Sequence, residues 1–237
     1  MRLVSWNANY NGRRRSLDDS VALLEPFGGE LLVICEAGKP AKHSGLRAHY
    51  VGDAPGLAVV AREGLHLEPH PENDAAPDYM AGFHVSGDAT FDLLAIWPVS
   101  RPEEISYHKI LMAALDHYVE LLGSGRAVMI GDLNSSSRVL AQKRTHPRFV
   151  SAASELGLVS LYHEQTGEGH GLESANTYRH SSGATRDFHI DYCFLSRELA
   201  AASEISIPQD EDWMRLSDHY PLVVDFPAGT SLTSASS

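Results

Sequence analysis

AVMIGDLN, residues 127 to 134, is an apolar run that stops on an acid and an amide. Residues 127–131 read as a strand entering a turn, and Asp132 and Asn134 are the polar groups delivered at its end. The same arrangement recurs along the chain. Asn7 follows RLVSW, Glu36 follows LLVIC, Asp191 interrupts HIDYCFLS (189–196), and Asp218 and His219 stand just before PLVVDF (221–226). Further strands are expected at GLAVVA (56–61) and TFDLLAIW (90–97). Several are near-continuous apolar runs, the pattern of a sheet covered on both faces. Helical spacing is found at 16–25, with Ser16 as N-cap, Asp18 and Asp19 in the first turn and Pro26 beyond the end, at 103–122 up to Gly123, and at 147–156 up to Gly157. Helices between strands imply an α/β protein, a mixed sheet system layered with helices.

The chain has 237 residues, ordinary for one large domain, here assigned to residues 1–227. The small, polar tail 228–237 reads as disordered. No stretch reaches the roughly 18 to 20 apolar residues of a membrane helix, and no apolar segment with a cleavage site marks a signal peptide. Cys35 and Cys193 lie in apolar runs without a second ligand at zinc spacing, so both read as buried free thiols in a reducing cytoplasm. The net charge of −12 counts against a broad electropositive surface for duplex binding, since phosphate neutralisation supplies most of that affinity. It leaves room for a local basic rim from Arg13, Arg14 and Arg15, or from Arg138, Lys143, Arg144 and Arg148. Either cluster taken alone reads as a solvated face.

Strands of one sheet often end on a common edge, so the acids and amides can converge. Oxygen donors without cysteine favour a hard cation, Mg²⁺ or Mn²⁺, and Mg²⁺ needs only one or two protein carboxylates. Glu36 with help from Asn7 or Asp218 suffices. Each strand-end acid alone is a commonplace turn former or helix cap. Asp191 is different, because an acid inside an apolar strand must find a partner, and a histidine can supply it.

The run WNANYN, VICEAG, MIGDLNSSS, HIDYCFLS and LSDHYPLVVDF resembles, in order, the motifs of the endonuclease/exonuclease/phosphatase superfamily, which includes exonuclease III-like and deoxyribonuclease I-like enzymes. The resemblance covers the chain from near residue 1 to about 226. It implies a four-layer α/β/β/α sandwich, two mixed β-sheets flanked by helices, with the site at one edge. It also implies roles: Glu36 as metal ligand with Asn7 beside it, Asp132 activating or orienting the water, and Asn134 holding phosphate and Asp132. Asp191 then hydrogen-bonds the catalytic histidine, Asp218 lies near the metal, and His219 contacts the scissile phosphate. Elementary chemistry supports the assignment, since hydrolysis of a phosphodiester needs an activated water and neutralisation of developing charge. Asp191 should raise the pKa of His219 and make it a better phosphate clamp.

One position departs from the pattern. Many relatives place a histidine or tyrosine after the strand FDLLAI, where this chain has Trp97. Indole has one N–H donor and no acid–base chemistry near neutral pH, so Trp97 is a donor, a stacking platform for a base or sugar, or core. Tyr107 and His108 are the substitutes for leaving-group assistance. His189 is read as pairing with Asp191 on one strand face, and His84 and His117 as structural or exposed. Residues 163–187, with His163, His170 and His180, read as a long loop over the site, and Arg179 and Arg186 in it are candidates to meet phosphate.

The expected activity is that of a nuclease on DNA or RNA. The alternative is a phosphatase or phosphodiesterase acting on a nucleotide, inositol phosphate or lipid head group, which the acidity favours. A non-enzymatic binding module is disfavoured because all six core site residues are intact. No membrane partner is expected, and a monomer is the default.

Overall fold

The computed structural model describes residues 1–71, 76–100, 106–180 and 187–227. Its first sheet contains β1 (Arg2–Asn7), β2 (Leu31–Ala37), β3 (Ala48–Val51), β4 (Gly56–Ala61), β13 (Glu204–Ser206) and β14 (Leu222–Asp225), in the order β13-β14-β1-β2-β4-β3. The second contains β5 (Leu65–Pro69), β6 (Met80–Gly87), β7 (Phe91–Ile96), β8 (Ala127–Asp132), β9 (Leu158–Ser160) and β12 (Asp191–Ser196), in the order β5-β6-β7-β8-β12-β9. A short ribbon pairs β10 (Tyr178–Arg179) with β11 (Asp187–Phe188). The helices are α1 (Tyr10–Arg13), α2 (Leu17–Leu24), α3 (Tyr107–His117), α4 (Val119–Leu122), α5 (His146–Glu155), α6 (Leu161–Thr166), α7 (Arg197–Ala202) and α8 (Trp213–Leu216).

The alternation of side chains explains why the strands read as unbroken apolar runs. In β2, Leu31, Val33 and Cys35 point between the sheets, where they meet Phe83, Leu93 and Ile130 of the second sheet. Leu32 and Ile34 point outward with Val4 and Trp6 and pack on Leu17, Val21 and Leu24 of α2. The outer face of the second sheet does the same through Leu94, Met129 and Phe194, against Leu111 and Leu115 of α3 and Phe149 of α5. The result is the expected four-layer sandwich of helix, sheet, sheet and helix. Each large apolar side chain so covered contributes about 1.5–3 kcal/mol relative to exposure. The N-terminus of α2 is fixed by a capping box, Ser16 accepting from the Asp19 amide and Asp19 accepting from the Ser16 amide.

Strand direction brings the polar ends to one edge. β1 and β2 are parallel, so Asn7 and Glu36 both lie at their carboxyl ends. β12 is antiparallel to β8, so its first residue, Asp191, pairs with the last residue of β8, Asp132. β14 is antiparallel to β1, which places His219, just ahead of it, beside the end of β1. β1 and β2 lie against β8 of the other sheet.

Two expectations require correction. The helix expected at 103–122 is two helices, α3 and α4, separated at Tyr118, and residues 103–105 fall outside the described residues. The segment 163–187 is not a free loop: it begins within α6, carries the β10 pairing, and buries Glu173 and Thr177. The tail 228–237 lies outside the described residues. Among the described residues, no helix is long and apolar enough to cross a membrane.

Candidate active site

Asp132 is at the centre. It is 1% exposed, and its Oδ1 accepts the Asn134 backbone N–H at 2.8 Å. Its Oδ2 accepts from Asn7 Nδ2 at 2.9 Å and from Asn134 Nδ2 at 3.3 Å. Gly131 makes this placement possible. Its φ of +148° is closed to most side chains, and a Cβ there would stand 1.9 Å from the carbonyl oxygen of Ile96. Asn134 adopts φ +49°, a left-handed turn that asparagine tolerates, and its amide also donates to the Pro98 carbonyl at 3.3 Å.

Glu36 reaches the same place by a different device. The β2–β4 register shifts between Ile34 and Ala37, and Glu36 takes φ +46° within that irregularity. A bulge of this kind re-aims a side chain out of its strand, and strain of this kind gathers at functional sites. Its Oε1 accepts from Asn7 Nδ2 at 3.3 Å. Burial raises the Glu36 pKa, an effect offset by the Asn7 donor and reinforced by the nearby Asp218 and Asp191 charges.

His219 faces Asp132 from the opposite side, Nε2 to Oδ2 at 4.0 Å, and its Nδ1 is 2.8 Å from Asp191 Oδ2. Asp191 accepts there, so Nδ1 carries the proton. The backbone is held too: Trp6 Nε1 donates to the His219 carbonyl at 3.0 Å, and Ser217 Oγ accepts the His219 N–H at 3.1 Å while donating to the Asn7 carbonyl at 2.7 Å. Burial alone would lower the His219 pKa. Asp191 outweighs it, with help from Asp132 and Asp218, and the imidazole is pushed up to about 10. Burial raises Asp132 to about 7, with the Asp191 charge adding to it. The carboxyl group is therefore poised between acid and base near neutrality.

Four carboxylates, Glu36, Asp132, Asp191 and Asp218, thus share one imidazolium. Desolvated negative charge in this excess fits a divalent cation bound by oxygen. Asn7, expected beside the metal, has its Oδ1 accepting the Asn9 N–H at 2.9 Å and its NH₂ turned to Glu36 and Asp132. Asn7 thus bridges the two acids.

The expected substrate contacts fare differently. Trp97 is 5% exposed and packs edge-on to Tyr79, ring centres 5.0 Å apart, in the core between the sheets. It is a core ring and not a surface for a base or sugar. Arg179 is held bidentately by Glu211 at 2.7 and 2.9 Å and by the Tyr220 hydroxyl at 3.1 Å, which occupies the guanidinium. Arg186 lies outside the described residues. His189 does not pair with Asp191; its Nδ1 is on the Ala175 carbonyl at 2.9 Å.

Sequence reasoning missed Tyr178, whose ring lies 4.7 Å from that of His219. It also missed Thr177, whose hydroxyl accepts the backbone N–H groups of Ile190 and Asp191. Both sit in the segment read as a loop, where no periodicity marks them. Tyr107 is half-buried at the start of α3. Burial raises its pKa, with Asp132 and Glu36 adding, so the phenol is close to the site and stays protonated.

No protein-family model matches the chain, and no curated protein matches it in sequence. Solved structures do match it in shape. An AP endonuclease from Archaeoglobus fulgidus superposes with a TM-score of 0.72 at 17% identity, covering 96% of this chain and 100% of its own. The 3′ phosphatase NExo from Neisseria, bound to a product DNA hairpin, gives 0.69 at 18% identity over 96% and 99%. The endonuclease domain of TRAS1, a telomere-specific non-LTR retrotransposon, gives 0.68 at 16% over 96% and 99%. The chain has the four-layer α/β sandwich fold of the endonuclease/exonuclease/phosphatase superfamily.

Proposed function

We propose that the chain is a divalent-metal-dependent phosphodiesterase that hydrolyses the backbone of DNA or RNA. The observation that carries this reading is the meeting of Asp132, Asn7, Glu36, Asn134 and the Asp191–His219 pair at one sheet edge. Asp132, raised to about 7 and fixed by three hydrogen bonds, accepts the proton of the attacking water. Asn134 steadies Asp132, and its amide would exchange the long bond to the Pro98 carbonyl for one to a phosphoryl oxygen. His219, protonated at neutral pH, donates from Nε2 to a non-bridging oxygen, and Asp191 holds its ring and charge. Tyr107, which feels the charges of Asp132 and Glu36, would assist the leaving oxygen. Glu36 and Asp218 would hold Mg²⁺ or Mn²⁺, which supplies charge neutralisation for the phosphate and the departing oxygen.

Exposed Arg13 and Arg138 support the rim proposed for a nucleic-acid strand. Arg13 Nε donates to the Leu216 carbonyl at 3.2 Å, close to Asp218, and Arg138 Nη1 to Asn176 Oδ1 at 2.8 Å, close to Thr177. That the solved structures of similar shape include an AP endonuclease and a phosphatase bound to a DNA hairpin supports a nucleic-acid substrate. The net charge of −12 favours the second reading, a small phosphorylated substrate. The buried free thiols Cys35 and Cys193 support a cytoplasmic location.

The test is a substrate panel with Mg²⁺ or Mn²⁺: single- and double-stranded oligonucleotides, RNA, bis-p-nitrophenyl phosphate and p-nitrophenyl phosphate. Cleavage of a nucleic-acid strand that falls by about 10²–10⁴ in folded Asp132→Ala supports the proposal. Turnover of only the small monoester favours the second reading, and full activity in Asp132→Ala overturns the mechanism.

A further inference from the structure

A second group of ligating side chains lies apart from the site just described. His163, His170 and Glu173 present ligand atoms that all lie within 4.8 Å of one another. His163 Nε2 is 3.2 Å from Glu173 Oε1, and His146, from the start of α5, brings its Nε2 to 3.3 Å from His170 Nδ1. A tetrahedral zinc ion with bonds of about 2.0–2.2 Å sets its ligand atoms roughly 3.3–3.6 Å apart, a spacing that the group of His163, His170 and Glu173 can close to.

The outward nitrogens are anchored. His146 Nδ1 is 2.9 Å from the Ser135 hydroxyl, and His163 Nδ1 is 2.8 Å from the Ser160 hydroxyl. Partners on the far ring nitrogen fix the tautomer and aim the near nitrogen, as around metal-bound histidines. Glu173 supplies the independent sign. Its side chain is fully buried, and Oε2 has no hydrogen-bond partner while Oε1 takes the Gly171 N–H at 2.8 Å. A buried carboxylate oxygen left bare among imidazoles calls for a cation. A cleft of about 310 Å³ bordered by His163 and His170 offers an entry route.

We propose that His163, His170 and Glu173 form a site for Zn²⁺ that staples α6 to the segment after it, with His146 beside His170 at its rim and water completing the coordination. A hard cation such as Mg²⁺ is not suited to a pair of imidazoles, which favour zinc and its neighbours. The rings of His163 and His170 are stacked, centres 3.6 Å apart, so ligation turns the His170 ring and exchanges a stack for a coordinate bond. The staple lies directly behind the active site: Ser135, which anchors His146, follows Asn134, and the stapled segment runs on to Thr177, which holds the amide of Asp191. The proposal does not depend on the function read from that site.

The test uses the full chain without a histidine tag, stripped with a chelator and titrated with zinc sulfate against a chromophoric competitor, with far-ultraviolet circular dichroism to report folding. Stoichiometric zinc is expected in the wild type and in Glu36→Gln. Glu173→Gln, which keeps the side-chain shape, and His170→Ala should each weaken zinc binding by about 100-fold or more while remaining folded. Cobalt in place of zinc should give the intense visible bands of a four-coordinate ion. A folded wild type that binds no zinc, or a Glu173→Gln variant that binds it as tightly as the wild type, overturns the proposal. Should either variant fail to fold, the cobalt spectrum of the wild type decides: four-coordinate bands support the site, and an octahedral spectrum or none overturns it.

Discussion

Asp191→Asn isolates the charge behind His219. The side chain keeps its shape and its oxygen, so the imidazole can still be oriented, but the negative charge 2.8 Å from Nδ1 is gone. In the wild type His219 is pushed up to about 10 from its ordinary 6.5. Without Asp191, burial lowers the pKa while Asp132 and Asp218 still raise it, and it returns toward the ordinary 6.5. At pH 8 the protonated fraction then drops from nearly all to about 3%, a loss of about 30-fold, whereas at pH 6 the loss is under about twofold, since each pH unit is a factor of ten. The charge on Asp191 also raises Asp132, so its removal lowers that carboxyl and helps the variant at low pH, in the same direction. The assay is kcat/KM of variant and wild type on one oligonucleotide between pH 5.5 and 9, with nuclear magnetic resonance titration of the His219 ring. The ratio of variant to wild type should climb by an order of magnitude or more from pH 8 to pH 6. A ratio independent of pH would refute the claim that His219 acts as a cation maintained by Asp191. Stability follows the same sign. A pKa raised on folding favours the fold fully below about 6.5, and that margin over the variant shrinks as the pH climbs to about 10.

Gly131→Ala should cost about 3 kcal/mol or more in urea unfolding and displace Asp132, because the new methyl meets the Ile96 carbonyl; an unchanged midpoint would remove the need for this turn. Trp6→Phe should cost about 1–3 kcal/mol, since the His219 carbonyl loses its buried donor, and the check is again chemical unfolding alongside activity. Glu36→Gln should raise the Mg²⁺ or Mn²⁺ concentration needed for half-maximal activity by about tenfold or more, and an unaltered metal titration would remove Glu36 from the ligand set.

The sandwich was legible because it leaves its mark in local pattern. Strands covered on both faces must be apolar throughout, so β2, β4, β7 and β8 announce themselves, and their polar ends mark the site. β6, MAGFHVSG, was not seen, since Gly82 and His84 interrupt its run. Glu36 was found as a residue, but the bulge that aims it depends on how β2 meets β4, which no local signal encodes. Trp97 stays open between donor, stacking platform and core in the sequence for the same reason: whether a strand-end ring turns inward depends on Tyr79, a neighbour in space. The cluster of His163, His170 and Glu173 escaped because these residues keep no metal-site spacing.

The chain has three tryptophans, and their placement makes the protein its own optical reporter. Trp6 and Trp213 meet edge to face with ring centres 5.5 Å apart, and the Arg15 guanidinium lies 5.4 Å from the Trp6 ring. Two indoles this close couple excitonically, and the coupled pair is tied through Trp6 to the backbone of His219. Trp97, dry between the sheets, supplies a constant blue-shifted background. Emission and near-ultraviolet dichroism of the unlabelled chain therefore register displacements at the histidine end of the cleft, and a stopped-flow instrument can follow cation or strand arrival there without a dye.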